Sequence, residues 1–287
     1  MLKATLTLLA FLTLFSNSYA AENKHIFIAT DESRKQLLYV NEFEPEKDWT
    51  ITVGPNRDLQ LIDDKNVIMN IPDGYRQYEV ATGKLVKEVK VGKGIKSLVR
   101  TQDGHTLLAS GNKIWELDAK DKVIKEIDVK MGGYFRQLRL AKNGNFLFTG
   151  SITSMKEADR TGKILREIDL TKIAPKVKKP YFMVQQPDGN FMISTGYDAS
   201  LLIVDKDNKL IRKIGGRDAM PEAKLNFFGG AEVLPNGNIL VTNWTGHGAK
   251  DSEKGPQVLE FDKEGKIVWK WHDPKRAGSL HGIAVIK

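Results

Sequence analysis

A short turn signature recurs along the chain: Asp64-Lys65-Asn66, Asp103-Gly104-His105, Asn143-Gly144-Asn145, Asp188-Gly189-Asn190 and Asn236-Gly237-Asn238. Between Asn66 and Asn238 its mean spacing is 43 residues. That period is too long for a coiled coil and matches a unit of four short strands. Each signature separates two apolar runs, such as Leu138 to Ala141 and Phe146 to Phe148. The second run is continuous rather than alternating, as expected of a strand covered on both faces.

A second turn closes every unit: Thr82-Gly83-Lys84, Lys120-Asp121-Lys122, Thr161-Gly162-Lys163, Asp207-Asn208-Lys209 and Glu264-Gly265-Lys266. A strand with interleaved charge follows it, for example Leu85-Val86-Lys87-Glu88-Val89 and Ile164-Leu165-Arg166-Glu167-Ile168. Charge on an outermost strand blocks edge-to-edge pairing with other molecules. The unit therefore reads as inner strand, turn, buried strand, third strand, turn, charged outer strand. Five such units are complete between about Gly54 and Pro274. His25 to Thr30, Leu37 to Phe43 and Trp49 to Val53 supply three strands with no inner strand ahead of them, while Gly282 to Ile286 is a lone apolar strand. Pairing the orphan tail with the orphan head makes a sixth unit and closes a ring without a free inner edge. The expected fold is an all-β, six-bladed β-propeller of four-stranded antiparallel blades. No stretch sustains a helical period, and Lys172 to Lys179 is at most a turn.

Composition narrows the chemistry. The chain has 287 residues and no cysteine, which excludes disulfides, thiolate metal sites, iron–sulfur clusters and cysteine nucleophiles. Lys3 is the only charge before Glu22, an apolar run extends from about Leu6 to Phe15, and Ser18-Tyr19-Ala20 offers small residues for cleavage. Residues 1–20 read as a secretory signal peptide, too short in its apolar run to span a bilayer, and 21–287 as one propeller domain. The expected location after cleavage near Ala20 is the periplasm or the exterior, with a monomeric protein and no transmembrane segment. The formal net charge is +8. Its Lys and Arg residues are dispersed beside acids, which argues against nucleic acid as a partner.

The segments Glu79-Val80-Ala81-Thr82-Gly83-Lys84 and Glu260 to Trp269 resemble the repeats of PQQ-binding-like quinoprotein propellers. Leu234-Pro235-Asn236-Gly237-Asn238-Ile239-Leu240-Val241 is similar to segments of arylsulfotransferase-like and NHL-like propellers. The resemblance covers most of the chain past residue 20 and rests on blade-building residues, so it implies fold rather than activity. PQQ enzymes of this type have eight blades and a vicinal cysteine pair; with six blades and no cysteine, no cofactor is expected. The arylsulfotransferase likeness implies a reactive histidine with His and Arg support at the pore, of which only part is found. Lactonase-like six-bladed propellers hold a divalent cation on Glu, Asn and Asp. Only Asp58, Glu232 and Asn243 are in position to serve here, and no metal site is assigned.

Ligands of propellers sit where the loops entering the blades converge on the channel. Stepping back from each first turn places Arg57-Asp58, Lys96-Ser97, Arg136-Gln137, Tyr181-Phe182, Gly229-Gly230 and His281-Gly282 around one mouth. The longest insertion, from Asn243-Trp244-Thr245-Gly246-His247 to Pro256, is a candidate lid beside it. Arg57, Lys96 and Arg136, with Tyr181, Trp244, His247 and His281, form an expected electropositive cup for a small carboxylate, sulfate or phosphate ester. Asp58 and Asn243 belong to the same candidate ligand set, and Glu232 is a candidate counterion or base. Two further readings stand beside anion binding. One is a hydrolase or transferase using His281 or His247 as nucleophile or acid/base. The other is a protein- or glycan-binding face built on Tyr75, Tyr134, Phe135, Tyr181, Tyr197 and Trp244. His25, His105 and His272 fall on a strand start, a turn and an outer-strand end, away from the mouth.

Overall fold

In the computed structural model, residues 23–286 are described except 131, 151, 178 and 249. The signal-peptide expectation concerns residues 1–20, which lie outside the described residues. Blade one contains β1 (Ile26–Asp31), β2 (Gln36–Asn41) and β3 (Trp49–Thr52); blade two contains β4 (Leu59–Leu61), β5 (Asn66–Ile71), β6 (Gly74–Glu79) and β7 (Leu85–Lys90). Blade three runs through β8 (Ile95–Arg100), β9 (Thr106–Ser110), β10 (Lys113–Leu117) and β11 (Val123–Asp128), and blade four through β12 (Phe135–Leu140), β13 (Phe146–Gly150), β14 (Ser154–Ala158) and β15 (Ile164–Asp169). Blade five holds β16 (Phe182–Gln185), β17 (Phe191–Ser194), β18 (Ser200–Val204) and β19 (Leu210–Gly215), and blade six β20 (Phe228–Val233), β21 (Ile239–Asn243), β22 (Val258–Phe261) and β23 (Ile267–Trp271). The last strand, β24 (Leu280–Ile286), returns to blade one.

There are six antiparallel sheets of four strands, and β24 is the inner strand of the first, paired with Ile26↔Ile286, Ile28↔Ala284 and Asp31↔Leu280. The six-bladed ring and its closure by the C-terminal strand are thus as the repeat spacing requires. The Gly of the first turns, Gly104, Gly144, Gly189 and Gly237, all have φ between 84° and 90°, a conformation that a Cβ opposes. In the second turns Asp121 and Asn208 adopt the same left-handed region, which short polar side chains tolerate. The continuous apolar strands are buried throughout: Phe146–Gly150, Phe191–Ser194 and Ile239–Asn243 have no exposed residue. The expected loop at 172–179 begins in a 3-10 turn, Leu170–Lys172, and its described residues continue as turns to 176.

Two repeated contacts join the blades. Asn70, Thr149, Ser194 and Thr242 occupy the same position in the second strands of blades two, four, five and six, and each donates to a carbonyl at the start of the next inner strand, those of Ile95, Tyr181, Phe228 and His281. In blades two to five the third residue of the charged outer strand reaches sideways to the second turn of the following blade. Lys87 meets Asp121 at 2.6 Å, Lys125 donates to the Arg160 carbonyl at 2.9 Å, Arg166 binds Asn208 Oδ1 at 2.7 Å, and Arg212 donates to the Lys263 carbonyl. The outward-facing second residue is instead apolar: Val86, Ile124, Leu165, Ile211 and Val268 are all exposed. Edge protection is therefore only part of what these strands' charges do. Among the described residues no helix is long and apolar enough to cross a membrane.

Candidate functional site

The inner strands all begin at one mouth of the ring, here called the upper mouth. Arg57, Lys96, Tyr134, Phe135, Arg136 and Tyr181 line a cavity of about 250 Å³ there. Three of these residues are permanent or near-permanent cations, and their situations differ. Arg57 Nη2 donates to Glu32 Oε1 at 2.6 Å. Burial works against its charge, but the neighbouring Glu32 carboxylate carries its pKa above the ordinary guanidinium value. The Arg136 guanidinium lies 5.9 Å from the Tyr181 ring centre, within cation–π range, and its Nε is buried with no hydrogen-bond partner. Among the described residues, neither Arg136 nor Lys96 has a carboxylate within ion-pairing distance. Burial also raises the Tyr181 pKa, against the opposing charges of Arg57 and Arg136, so the phenol keeps its proton.

Beside this cavity Glu32 gathers four side chains. It is the first residue of the turn between β1 and β2 and accepts from Arg57, from Trp244 Nε1 at 3.0 Å and from His281 Nε2 at 3.2 Å; His247 Nδ1 lies 3.2 Å from the same oxygen, Oε2. Desolvation would raise its pKa, but the bond to His281 and the Arg57 charge outweigh that and hold the carboxyl far below the usual range. His281 moves the other way for a base: burial, aided by Arg57 and Arg136, lowers its pKa despite Glu32. The pair is thus a carboxylate facing a neutral imidazole. With Nε2 on Glu32, His281 Nδ1 is buried and unpartnered. Its ring stacks on Tyr181 at 5.0 Å and is tilted 32° to Trp244 at 5.7 Å, while Phe227 presents an edge.

Backbone geometry explains the placement of His281. A Cβ on Gly229 would stand 2.7 Å from both the His281 carbonyl oxygen and Thr242 Oγ1, so β24 packs against blade six only because that position has no side chain. The insertion after β21 runs from Trp244 through a 3-10 turn at Asp251–Lys254, and Trp244 and His247 fasten its start to Glu32 of blade one. His247 is nonetheless largely exposed, with 70% of its side chain in solvent. The two histidines converge on one carboxylate.

Other expected site residues lie elsewhere. Asp58 forms a bidentate pair with Arg139, at 2.7 and 2.9 Å, linking the inner edges of blades two and four, and also accepts from Ser97 and Gln137. Burial opposes the Arg139 charge, but Asp58 raises its pKa. Glu232 lines the opposite, lower mouth and accepts from the Val285 amide at 3.1 Å. Asn243 is fully buried and engaged with backbone: its Oδ1 takes the Asn226 and Phe227 amides, and its Nδ2 donates to the Pro256 and Lys224 carbonyls. Asp58, Glu232 and Asn243 therefore do not come together as a ligand set, and no group of three or more His, Asp or Glu side chains among the described residues is placed to hold a metal ion. Of the aromatics, Tyr75 is a buried core residue whose hydroxyl bonds Asp121 of the next blade, and Phe135 is fully buried. His25 pairs with buried Glu260 at 2.7 Å, His105 with Glu116 at 3.0 Å, and His272 with the Ser252 carbonyl, all away from the cup.

Glu32 and Phe227 are absent from the sequence-derived set. Glu32 was findable: once the head and tail are joined as one blade, Asp31 to Lys35 is its second-to-third-strand loop, and such loops face the ligand mouth.

No protein-family model matches this chain, and no curated protein matches it in sequence. Similarity to solved structures is at the level of fold. A protein of unknown function from Bacteroides caccae aligns with TM-score 0.78 and 19% identity over 92% of this chain and all of its own. Streptogramin B lyase aligns with TM-score 0.63 and 14% identity over 91% of this chain and 86% of that one. A catalytically inactive histidine-to-alanine variant of virginiamycin B lyase from Staphylococcus aureus, with quinupristin, gives 0.60 and 12% over 93% of each chain. At 12–19% identity these likenesses show the fold, a β-propeller, in agreement with the repeats.

Proposed function

We propose that this chain is an exported propeller whose upper mouth binds a small anionic molecule. The observation that carries this reading is the pairing state of the cations: Arg57 is neutralised by Glu32, whereas Arg136 and Lys96 face the same 250 Å³ cavity without a carboxylate partner. Two uncompensated cations with an aromatic floor attract a carboxylate, sulfate or phosphate ester, and the orphaned Arg136 Nε is a donor that an oxyanion satisfies. The small volume favours a compact ligand over a polymer. A thermal-shift screen of the mature protein against small carboxylates, sulfate and phosphate esters tests it: a specific anion raises the melting temperature, and neutral analogues do not. Amino-terminal sequencing of protein recovered from the producing cell checks export; the expected first residue is Ala21.

A second reading, an enzyme acting through His281, is favoured by one observation. Glu32 engages Nε2 and leaves Nδ1 as a neutral nitrogen without a protein partner, the state of an imidazole general base. The likeness to streptogramin B lyase adds only that this fold hosts enzymes. Conversion of a bound anion by the wild type but not by His281→Gln is the outcome that selects this reading.

A further inference from the structure

The lower mouth of the ring differs chemically from the upper one. Its cavity has a volume of about 640 Å³, and an adjoining trough of about 690 Å³ shares Gln60, Arg139, Val184 and Gln185 with it. The one guanidinium in the wall of the first cavity, Arg139, is compensated by Asp58. Much of the remaining wall is aliphatic or aromatic, including Leu59, Phe182, Val184 and Ile283.

Two carboxamides in this wall have unused capacity. Gln137 is 3% exposed; its Nε2 donates to Asp58 at 3.3 Å, and its Oε1 is buried with no donor. A buried acceptor left unmet costs about 1–3 kcal/mol, so a native site that keeps one has a use for it. Gln60 spends its Oε1 on the Arg100 amide at 2.9 Å, and its Nε2 has no protein acceptor among the described residues. The cavity thus offers the Gln137 acceptor and the Gln60 donor, beside the Glu232 carboxylate that holds the Val285 amide, with aliphatic and aromatic residues between them.

We infer that the lower mouth is a second binding site, for a short uncharged peptide or N-acyl amide, independent of the anion site above. An amide carries one N–H for Gln137 and one C=O for Gln60, and its apolar substituents match the walls. An anion finds no uncompensated cation in this cavity and meets the Glu232 carboxylate in its wall. The volume lies within the range of small-molecule pockets.

The test is a titration of the ¹⁵N-labelled mature protein with N-acetyl-Leu-Val-amide to about 10 mM, with glucose and sulfate as separate arms. The expected result is saturable shifts of the Gly230, Ala231 and Gly282 amides with the capped dipeptide alone. Gln137→Leu, which removes the acceptor and with it the Nε2 donor to Asp58 at similar volume, should weaken binding about tenfold. Gln60→Met provides a second variant should the first melt, and should also weaken it. The proposal is overturned if the dipeptide causes no shifts at this mouth, if glucose or sulfate shifts the same amides instead, or if folded Gln137→Leu and Gln60→Met bind as the wild type does.

Discussion

At the scale of single residues, pairing decides which charges are available for function. Arg57, Lys96 and Arg136 are equivalent in sequence, all placed at inner-strand starts, yet Glu32 withdraws only Arg57 from the cup. Replacing Glu32 with Gln removes a negative charge from the cup wall and should strengthen anion binding several-fold, as read by calorimetric titration; weaker binding would show that Glu32 organises the site instead. Protonation provides a second test. Because burial lowers the His281 pKa, the unfolded chain takes up a proton below about pH 6.5 that the folded chain resists. That contribution to stability is complete above this value and is lost as pH falls toward the folded pKa. Glu32, also depressed, adds its own loss only below about pH 4.5. The groups facing His281 are Glu32, Arg57, Arg136 and Tyr181. The melting temperature should therefore fall between pH 7 and 5, and less steeply in His281→Gln; equal slopes would contradict the assignment.

At the scale of strands, the repeat encodes joints as well as blades. Thr242 donates to the His281 carbonyl at 2.7 Å and so couples the last blade junction to the site. Thr242→Val leaves that buried carbonyl without its partner and should cost about 1–3 kcal/mol in chemical denaturation, with Thr242→Ser near wild type. These joints were written in the sequence as a polar residue four positions after each turn Asn, at Asn70, Thr149, Ser194 and Thr242, but a single polar residue in an apolar run does not announce its acceptor. The same holds for outer-strand cations. Lys87, Lys125, Arg166 and Arg212 share a position in the repeat, while their acceptors, a side chain in one blade and a backbone carbonyl in another, come from turns with no common residue.

At the scale of the whole molecule, blade number and closure were legible because turn chemistry and burial on both faces repeat with the blade. The cup was legible only as a ring of positions. Which cation keeps its charge free depends on Glu32, which reaches the mouth only because the head of the chain pairs with its tail. Closure should accordingly be indispensable: removing residues 280–287 strips β1 of its neighbour and exposes buried Phe27, Ile28 and Ala29, and the truncated chain should aggregate or lose its cooperative melt. The central claim, that the upper mouth is an anion site carried by its unpaired cations, is tested most directly by calorimetric titration of the strongest anion from the screen into wild type and Arg136→Met. The account predicts at least about tenfold weaker binding in the variant, with the melting temperature retained. Equal affinity in a folded Arg136→Met protein would contradict it.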